Sequence, residues 1–218
     1  MSTVTTPRRA PVPSLSAERR WWDAGAVVAG VDEVGRGAWA GPVTYAAVVL
    51  PRHRRLYKLR DSKVLTPAER EHQAARIRAV ALALGIGHAG NDEIDRLGMT
   101  RAMQLAAGRA LAALPLRPDV CLLDGNWDFL RGHGTHNELF VGGDGRCASI
   151  AAASIVAKVT RDALMRQACP GYPAYAFSDN KGYPTPTHLE ALDRWGPCPL
   201  HRHSWTPIQA RTHPRLPL

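Results

Sequence analysis

Residues 27–50 read VVAGVDEVGRGAWAGPVTYAAVVL, and this stretch decides the fold. An apolar run leads into two adjacent carboxylates, Asp32 and Glu33. Gly35-Arg36-Gly37 follows, then a second turn at Gly41-Pro42 and another apolar run to residue 50. The pattern predicts buried strands over residues 27–35 and 42–50, and the short glycine turn between them pairs them antiparallel. Their apolar halves belong in a core. Two acids where the first strand leaves that core are costly unless they hold something charged.

Working outward, Thr66-Pro67-Ala68-Glu69 is a helix start. Thr66 is the cap, Pro67 takes the first helical position and Glu69 completes a capping box, so a helix is expected to about residue 81. Residues 83–90 read as a third strand weakened by Gly85 and Gly87, and Asn91 caps a second helix ending before Pro115. Residues 118–124 give a short buried strand ending on Asp124-Gly125-Asn126, and residues 138–142 another. Ser149 caps an Ala-rich helix over residues 150–167, whose small side chains allow close approach to a sheet. Residues 170–182 read as a loop and residues 185–195 as a last helix. Interleaved strands and helices with an antiparallel first pair predict an α/β fold, a mixed sheet covered by helices.

A chain of 218 residues can bury one real core. No apolar run reaches the about 20 residues that a transmembrane helix needs. Arg8 and Arg9 have no apolar run behind them, so no secretory leader is expected. Residues 1–24 read as a disordered basic tail, residues 25–210 as the folded domain with its C-terminal helical part from about 165, and residues 211–218 as a tail. The net charge of +9, from 28 Lys+Arg against 19 Asp+Glu, points to a polyanionic partner, nucleic acid before a membrane surface. Cys121, Cys147, Cys169 and Cys198 form no CxxC pair and read as packing residues in a reducing cytoplasm.

Three carboxylates, Asp32, Glu33 and Asp124, fall at strand ends, where α/β sheets bind ligands. Ser154, Lys158 and Asp162 are spaced four apart and share a helix face, which makes Asp162 a fourth candidate. Clustered carboxylates call for hard divalent cations with oxygen ligands, Mg²⁺ or Mn²⁺, and two such ions serve in-line attack on a phosphodiester. The alternative readings are a turn or helix cap for Asp124 and an exposed ion pair for Asp162. Regular alternation also sends Asp32 and Glu33 to opposite faces of the sheet. Gly35-Arg36-Gly37 is either a plain turn or a backbone that approaches a ligand closely, able to read a ribose 2′-hydroxyl. His201, His203 and His213 read as loop histidines on a basic surface.

With these residues in hand, the sequence resembles the ribonuclease HII family. The blocks that carry the resemblance stand in family order from about residue 27 to 208. They are Val31-Asp32-Glu33-Val34-Gly35-Arg36-Gly37 with Gly41-Pro42-Val43, Asp61-Ser62-Lys63, Glu93-Ile94-Asp95, and Leu123-Asp124-Gly125. Next come the run from Ser149 to Val159 with Arg161-Asp162, then Lys181-Gly182-Tyr183 with Thr187-His188, and His201-Arg202 with Ser204. The resemblance implies an RNase H-like fold, a mixed five-stranded sheet flanked by helices, with a C-terminal helical extension. It implies an endonuclease that cuts the RNA strand of RNA/DNA hybrids and single ribonucleotides in duplex DNA, leaving 3′-hydroxyl and 5′-phosphate ends. By that similarity Asp32, Glu33, Asp124 and Asp162 hold two Mn²⁺ or Mg²⁺ ions. Gly35, Arg36 and Gly37 contact the ribonucleotide and Tyr183 the sugar at the RNA–DNA junction. Lys63, Ser154 and Lys158 are implied phosphate contacts. A cytoplasmic monomer with no membrane partner is expected. Trp39, Val64 and Asn180 depart from the family's usual residues without touching an expected metal ligand.

Overall fold

A computed structural model describes residues 12–53, 59 and 62–212, the Lys63 side chain excepted. Arg54, Arg55, Lys58, Arg60, Asp61 and His213 lie outside the described residues. The chain runs α1 (Ser16–Asp23), β1 (Val28–Val34), β2 (Val43–Val49), α2 (Pro67–Val80), β3 (Ala83–Ala89), α3 (Asn91–Leu97) and α4 (Met99–Ala112). It continues with β4 (Val120–Asp124), β5 (His136–Phe140), α5 (Ala148–Ala168), α6 (Phe177–Asn180), α7 (Pro186–Trp195) and α8 (Thr206–Gln209). Among the described residues no helix is long and apolar enough to cross a membrane.

The five strands form one mixed sheet in the order β3-β2-β1-β4-β5, with β1 at its centre. β1 is antiparallel to β2 and parallel to β4, and β5 continues in parallel. Val31, Tyr45, Ala47 and Leu123 face α4, where Ala102, Ala106 and Ala110 pack against them. Ala46 and Val48 face the other way, against Ile77 of α2 and Ala152, Ile155 and Val156 of α5. Helix α5 crosses β1 at Gly30, so closely that a Cβ there would lie 2.1 Å from the Ser149 carbonyl carbon. The small residues of both elements make that contact possible. Gly85 and Gly87 act the same way on the opposite face. They do not interrupt β3 but admit the α4 backbone, with a Cβ at either position falling about 2 Å from a carbonyl oxygen of α4.

The Thr66 capping box forms as the sequence predicts: the Thr66 N–H donates to Glu69 Oε2 at 2.8 Å and the Glu69 N–H to Thr66 Oγ1 at 3.3 Å. The helix expected after residue 90 is two helices, broken at Gly98 with φ +76°, and Gly90 rather than Asn91 is its cap. Helix α5 begins at Ala148 with Cys147 as its cap, so Ser149 lies inside it. The Ser149 N–H and hydroxyl donate to Glu18 Oε1 at 2.8 and 2.7 Å, so a carboxylate from α1 satisfies the first turn of α5.

That contact corrects the expectation of a disordered tail through residue 24. Glu18 and Trp22, one helical turn apart on α1, are both buried, Trp22 against Val28, Val120 and Ile150. The C-terminal helices α6 to α8 gather a separate apolar cluster. Phe177, Leu192 and Ile208 pack there on Met165 of α5 and on Ala40.

Candidate active site

Parallel β1 and β4 deliver their carboxyl ends to one edge of the sheet. β1 carries Asp32 and Glu33 there, and β4 ends on Asp124. A cavity of about 300 Å³ opens at this edge, lined by all three carboxylates and by Gly35, Arg36 and Gly37. Ser154 and Lys158 of α5 and Tyr183 complete its expected wall.

Asp32 is buried, and its Oδ1 accepts the Glu33 N–H at 2.7 Å. Burial first, then the charges of Glu33 and Asp124, push its carboxyl well above the usual carboxylate range. Hydrogen bonds from Ser154 and the Glu33 N–H pull it the other way. The Ser154 hydroxyl also meets the Ser62 hydroxyl at 2.9 Å. Asp124 Oδ1 accepts the Gly143 N–H at 2.6 Å.

Alternation along β1 puts Asp32 on the α5 side and Glu33, opposite Tyr45, on the α4 side. They reach one cavity because β4 stops short. Its register with β1 ends at Val31 opposite Leu123, so the flank of β1 from Asp32 onward is not covered by a neighbouring strand. Side chains from both faces therefore converge around an open strand edge.

The donor set suits a hard divalent cation: carboxylate oxygens, with no histidine or cysteine on the cavity wall. The Tyr45 hydroxyl adds to this fit. It is buried with no hydrogen-bond partner, and burial together with the charges of Glu33, Asp32 and Asp124 raises its pKa. As the side chains stand, no three His, Cys, Asp or Glu among the described residues close on a single metal position.

Asp162, expected among the metal-holding acids, is not on the cavity wall. Lys158 Nζ lies 2.7 Å from its Oδ1, the ion pair that was the alternative reading. Lys158 itself lines the cavity, so Asp162 stands one helical turn from the wall. Asp144 is likewise not on the cavity wall. Asp144 is buried and directly follows Gly143, whose N–H is bound to Asp124. Its only sequence signal is a turn, Gly143-Asp144-Gly145, which gives no hint of what it faces.

The Tyr183 ring is flanked by Lys158 Nζ at 5.8 Å and the Arg161 guanidinium at 5.3 Å from its centroid. Burial lowers the Lys158 pKa, against the pull of Asp162. Lys63 lies in a short turn over Ser62–Val64, with its side chain outside the described atoms. Sequence reasoning missed Arg70, which lines the cavity and donates to the Ser62 and Leu65 carbonyls. Nothing local separates it from the other arginines of α2; its place depends on the turn that precedes the helix. His201 corrects the reading of surface histidines: it is fully buried, with its Nε2 2.9 Å from His188 Nε2. All four cysteines are free, and Cys121, Cys147 and Cys198 are buried.

A family model described as Ribonuclease HII matches residues 29–208. The ribonuclease HII of Cereibacter sphaeroides is 51% identical over 181 residues, covering 83% of this chain and 84% of its own. That of Streptomyces coelicolor is 43% identical over 204 residues, covering 94% and 87%. The crystal structure of ribonuclease H2 from Pyrococcus horikoshii superposes with a TM-score of 0.73 at 26% identity, over 85% of this chain and 96% of that one. The likeness to these proteins thus extends along most of the chain. The chain belongs to the ribonuclease HII family, type II ribonucleases H that act as endonucleases on the RNA of RNA/DNA hybrids.

Proposed function

We propose that this ribonuclease cuts at single ribonucleotides in duplex DNA as well as in longer hybrids, with two divalent ions held by Asp32, Glu33 and Asp124. When bound, Mn²⁺ or Mg²⁺ supplies an activated water in line with the phosphate and stabilises the leaving 3′-oxygen, leaving 3′-hydroxyl and 5′-phosphate ends. The observation that carries the reading is the crowding of like charge around one cavity, which drives the Asp32 carboxyl upward and is relieved by a cation.

The chain's own residues do the rest. Asp32 and Asp124 are held by the Glu33 and Gly143 N–H groups, so their remaining oxygens face the cavity in fixed orientation. Asp162, one turn along α5 from the cavity-lining Lys158, is the fourth carboxylate we assign to the site. Gly35, Arg36 and Gly37 meet the ribonucleotide through the backbone, which gives selectivity for the 2′-hydroxyl. Tyr183 packs on the junction sugar, and Lys158, Arg70, Ser154 and Lys63 serve the phosphates. Free, mostly buried cysteines accord with a reducing cytoplasm. We assign the enzyme there as a monomer that removes misplaced ribonucleotides from DNA.

The test is cleavage of duplex DNA carrying one ribonucleotide, with the metal varied and the product ends mapped. Cutting 5′ to the ribonucleotide with 3′-hydroxyl ends supports the reading. A 2′,3′-cyclic phosphate product, activity in excess chelator, or cutting of all-DNA duplex overturns it.

A further inference from the structure

Among the described residues, Arg161 and Arg202 are the two largest fully buried side chains. Their guanidinium hydrogen bonds go to main-chain carbonyls. Arg161 donates to Pro42, Lys181 and Ala40 at 2.8, 2.9 and 3.0 Å. Arg202 donates through Nη1 to the Arg36 carbonyl at 2.9 Å and through Nη2 to the Gly35 carbonyl at 2.6 Å. Its Nε and Nη2 also reach the Gly41 carbonyl, at 3.2 and 3.1 Å. Between them the two side chains staple the loop that carries Gly35-Arg36-Gly37. Gly35 enters that loop at φ +90°, and a Cβ there would sit 2.2 Å from Arg161 Nε.

The consecutive carbonyls of Gly35 and Arg36 therefore both point at Arg202. In a trans peptide the carbonyl and the following N–H point in opposite directions, and there is no cis peptide among the described residues. The N–H groups of Arg36 and Gly37 consequently face away from Arg202. Both residues are exposed and line the cavity. Neither N–H has an acceptor among the described residues. Two successive N–H groups turned the same way form a concavity for an oxygen acceptor. The space above Gly37 is open, with no atom within 4 Å of where a Cβ would be.

We propose that Arg202 is a positioning residue for substrate recognition: by holding the Gly35 and Arg36 carbonyls inward, it presents the Arg36 and Gly37 N–H groups to an oxygen of the ribonucleotide. That oxygen is a ribose hydroxyl or a phosphate oxygen. A lysine keeps the charge but loses the planar fork that takes two adjacent carbonyls at once. The inference rests on the reading that this cavity receives the ribonucleotide.

Amide exchange followed by NMR tests the orientation without touching Arg202. In the free wild-type protein the Arg36 and Gly37 amides exchange fast, and slow exchange there overturns the proposal. In the Asp124→Asn variant, which prevents turnover, a duplex with one ribonucleotide protects both amides; no protection with the duplex bound also overturns it. Repeating the titration with the 2′-hydroxyl replaced by hydrogen, and separately with the adjacent phosphate replaced by a methylphosphonate, shows which oxygen is bound.

The second test is Arg202→Lys. Its KM for the ribonucleotide-containing duplex rises about tenfold or more, and its preference for that duplex over all-DNA duplex in binding falls, while Mn²⁺ affinity stays at the wild-type value. A folded Arg202→Lys with wild-type KM and preference sinks the positioning role and leaves the proposed function standing. Full activity of Asp124→Asn sinks the function instead. If Arg202→Lys does not fold, the exchange measurement on the wild-type protein decides.

Discussion

Two buried charged regions lie within a few residues of each other, and they are built on opposite principles. Around the cavity, Asp32, Glu33 and Asp124 repel one another, and Asp32 is driven toward its neutral form. Beneath the neighbouring loop, Arg161 and Arg202 are more deeply buried, yet their donors meet main-chain carbonyls. Burial and the nearby Arg161 lower the Arg202 pKa to about 9, which leaves it charged at neutral pH. Charge left in excess of its partners marks a place for a ligand. Charge matched to the protein's own dipoles marks scaffolding.

The comparison breaks most readily at Asp124. Asp124→Asn is expected to lower the cleavage rate more than about 100-fold, since loss of groups behind a metal ligand alone costs about 10–100-fold. Hybrid binding stays close to wild type, because the loss of a negative charge eases phosphate approach. Single-turnover cleavage with a parallel binding titration checks both halves, and unchanged cleavage removes the metal site from consideration.

Stability separates the two regions by sign. Asp32→Asn relieves a buried, repelled carboxylate, so the metal-free variant is expected to be more stable than wild type by about 1–2 kcal/mol. Arg161→Met removes a donor from three buried carbonyls at once and is expected to cost about 3–5 kcal/mol. Urea unfolding at pH 7 in chelator measures both. If the two variants shift stability in the same direction, the distinction between site and scaffold fails.

This distinction also explains what the sequence discloses. Asp32-Glu33 and Asp124 are legible because each ends an apolar strand run, and the Gly35-Arg36-Gly37 loop is legible because its residues are contiguous. Arg161 and Arg202 look like any other members of a basic surplus of +9, and only the fold brings six main-chain carbonyls, five from residues 35–42 and that of Lys181, onto them. Asp162 shares the helix face that the four-residue spacing predicts, while its ion pair with Lys158 shows only in the folded helix. Helix α1 is hidden by the Pro- and Ser-rich residues ahead of it, although Glu18 and Trp22 stand at helical spacing.

Acid brings the two regions into opposition. The Cys198 N–H donates to His201 Nδ1 at 2.9 Å, so the His201 proton is on Nε2 and is given to His188 Nε2. His188 then carries its own proton on Nδ1 and donates it to the Tyr183 carbonyl at 2.8 Å. One more proton breaks this chain. Burial first, then His188, lowers the His201 pKa from 6.5 to about 4. A depressed histidine contributes stability that is present above 6.5 and is lost as pH falls toward 4, about 3 kcal/mol in all. The raised Asp32 acts with the opposite sign, easing as it takes up a proton in the same descent. Stability of metal-free Asp32→Asn is therefore expected to fall more steeply between pH 6.5 and 4 than that of the wild type. Equal slopes in urea titrations across that range refute the opposition.

The smallest effect tests where the site ends. Lys158 and Asp162 form a partly exposed pair one turn apart on α5, a geometry worth about 0.3–0.5 kcal/mol. Asp162→Asn is expected to change stability by no more than that, and to weaken Mn²⁺ binding in a calorimetric titration. Freed from Asp162, the Lys158 ammonium remains beside the Tyr183 ring, so KM is expected to move little. Asp144→Asn, off the cavity wall, is expected to leave Mn²⁺ affinity at the wild-type value in the same titration. The reverse pattern, with affinity kept in Asp162→Asn and lost in Asp144→Asn, would move the fourth carboxylate from α5 to the turn before it. In that case Asp162 belongs to the scaffold and not to the site.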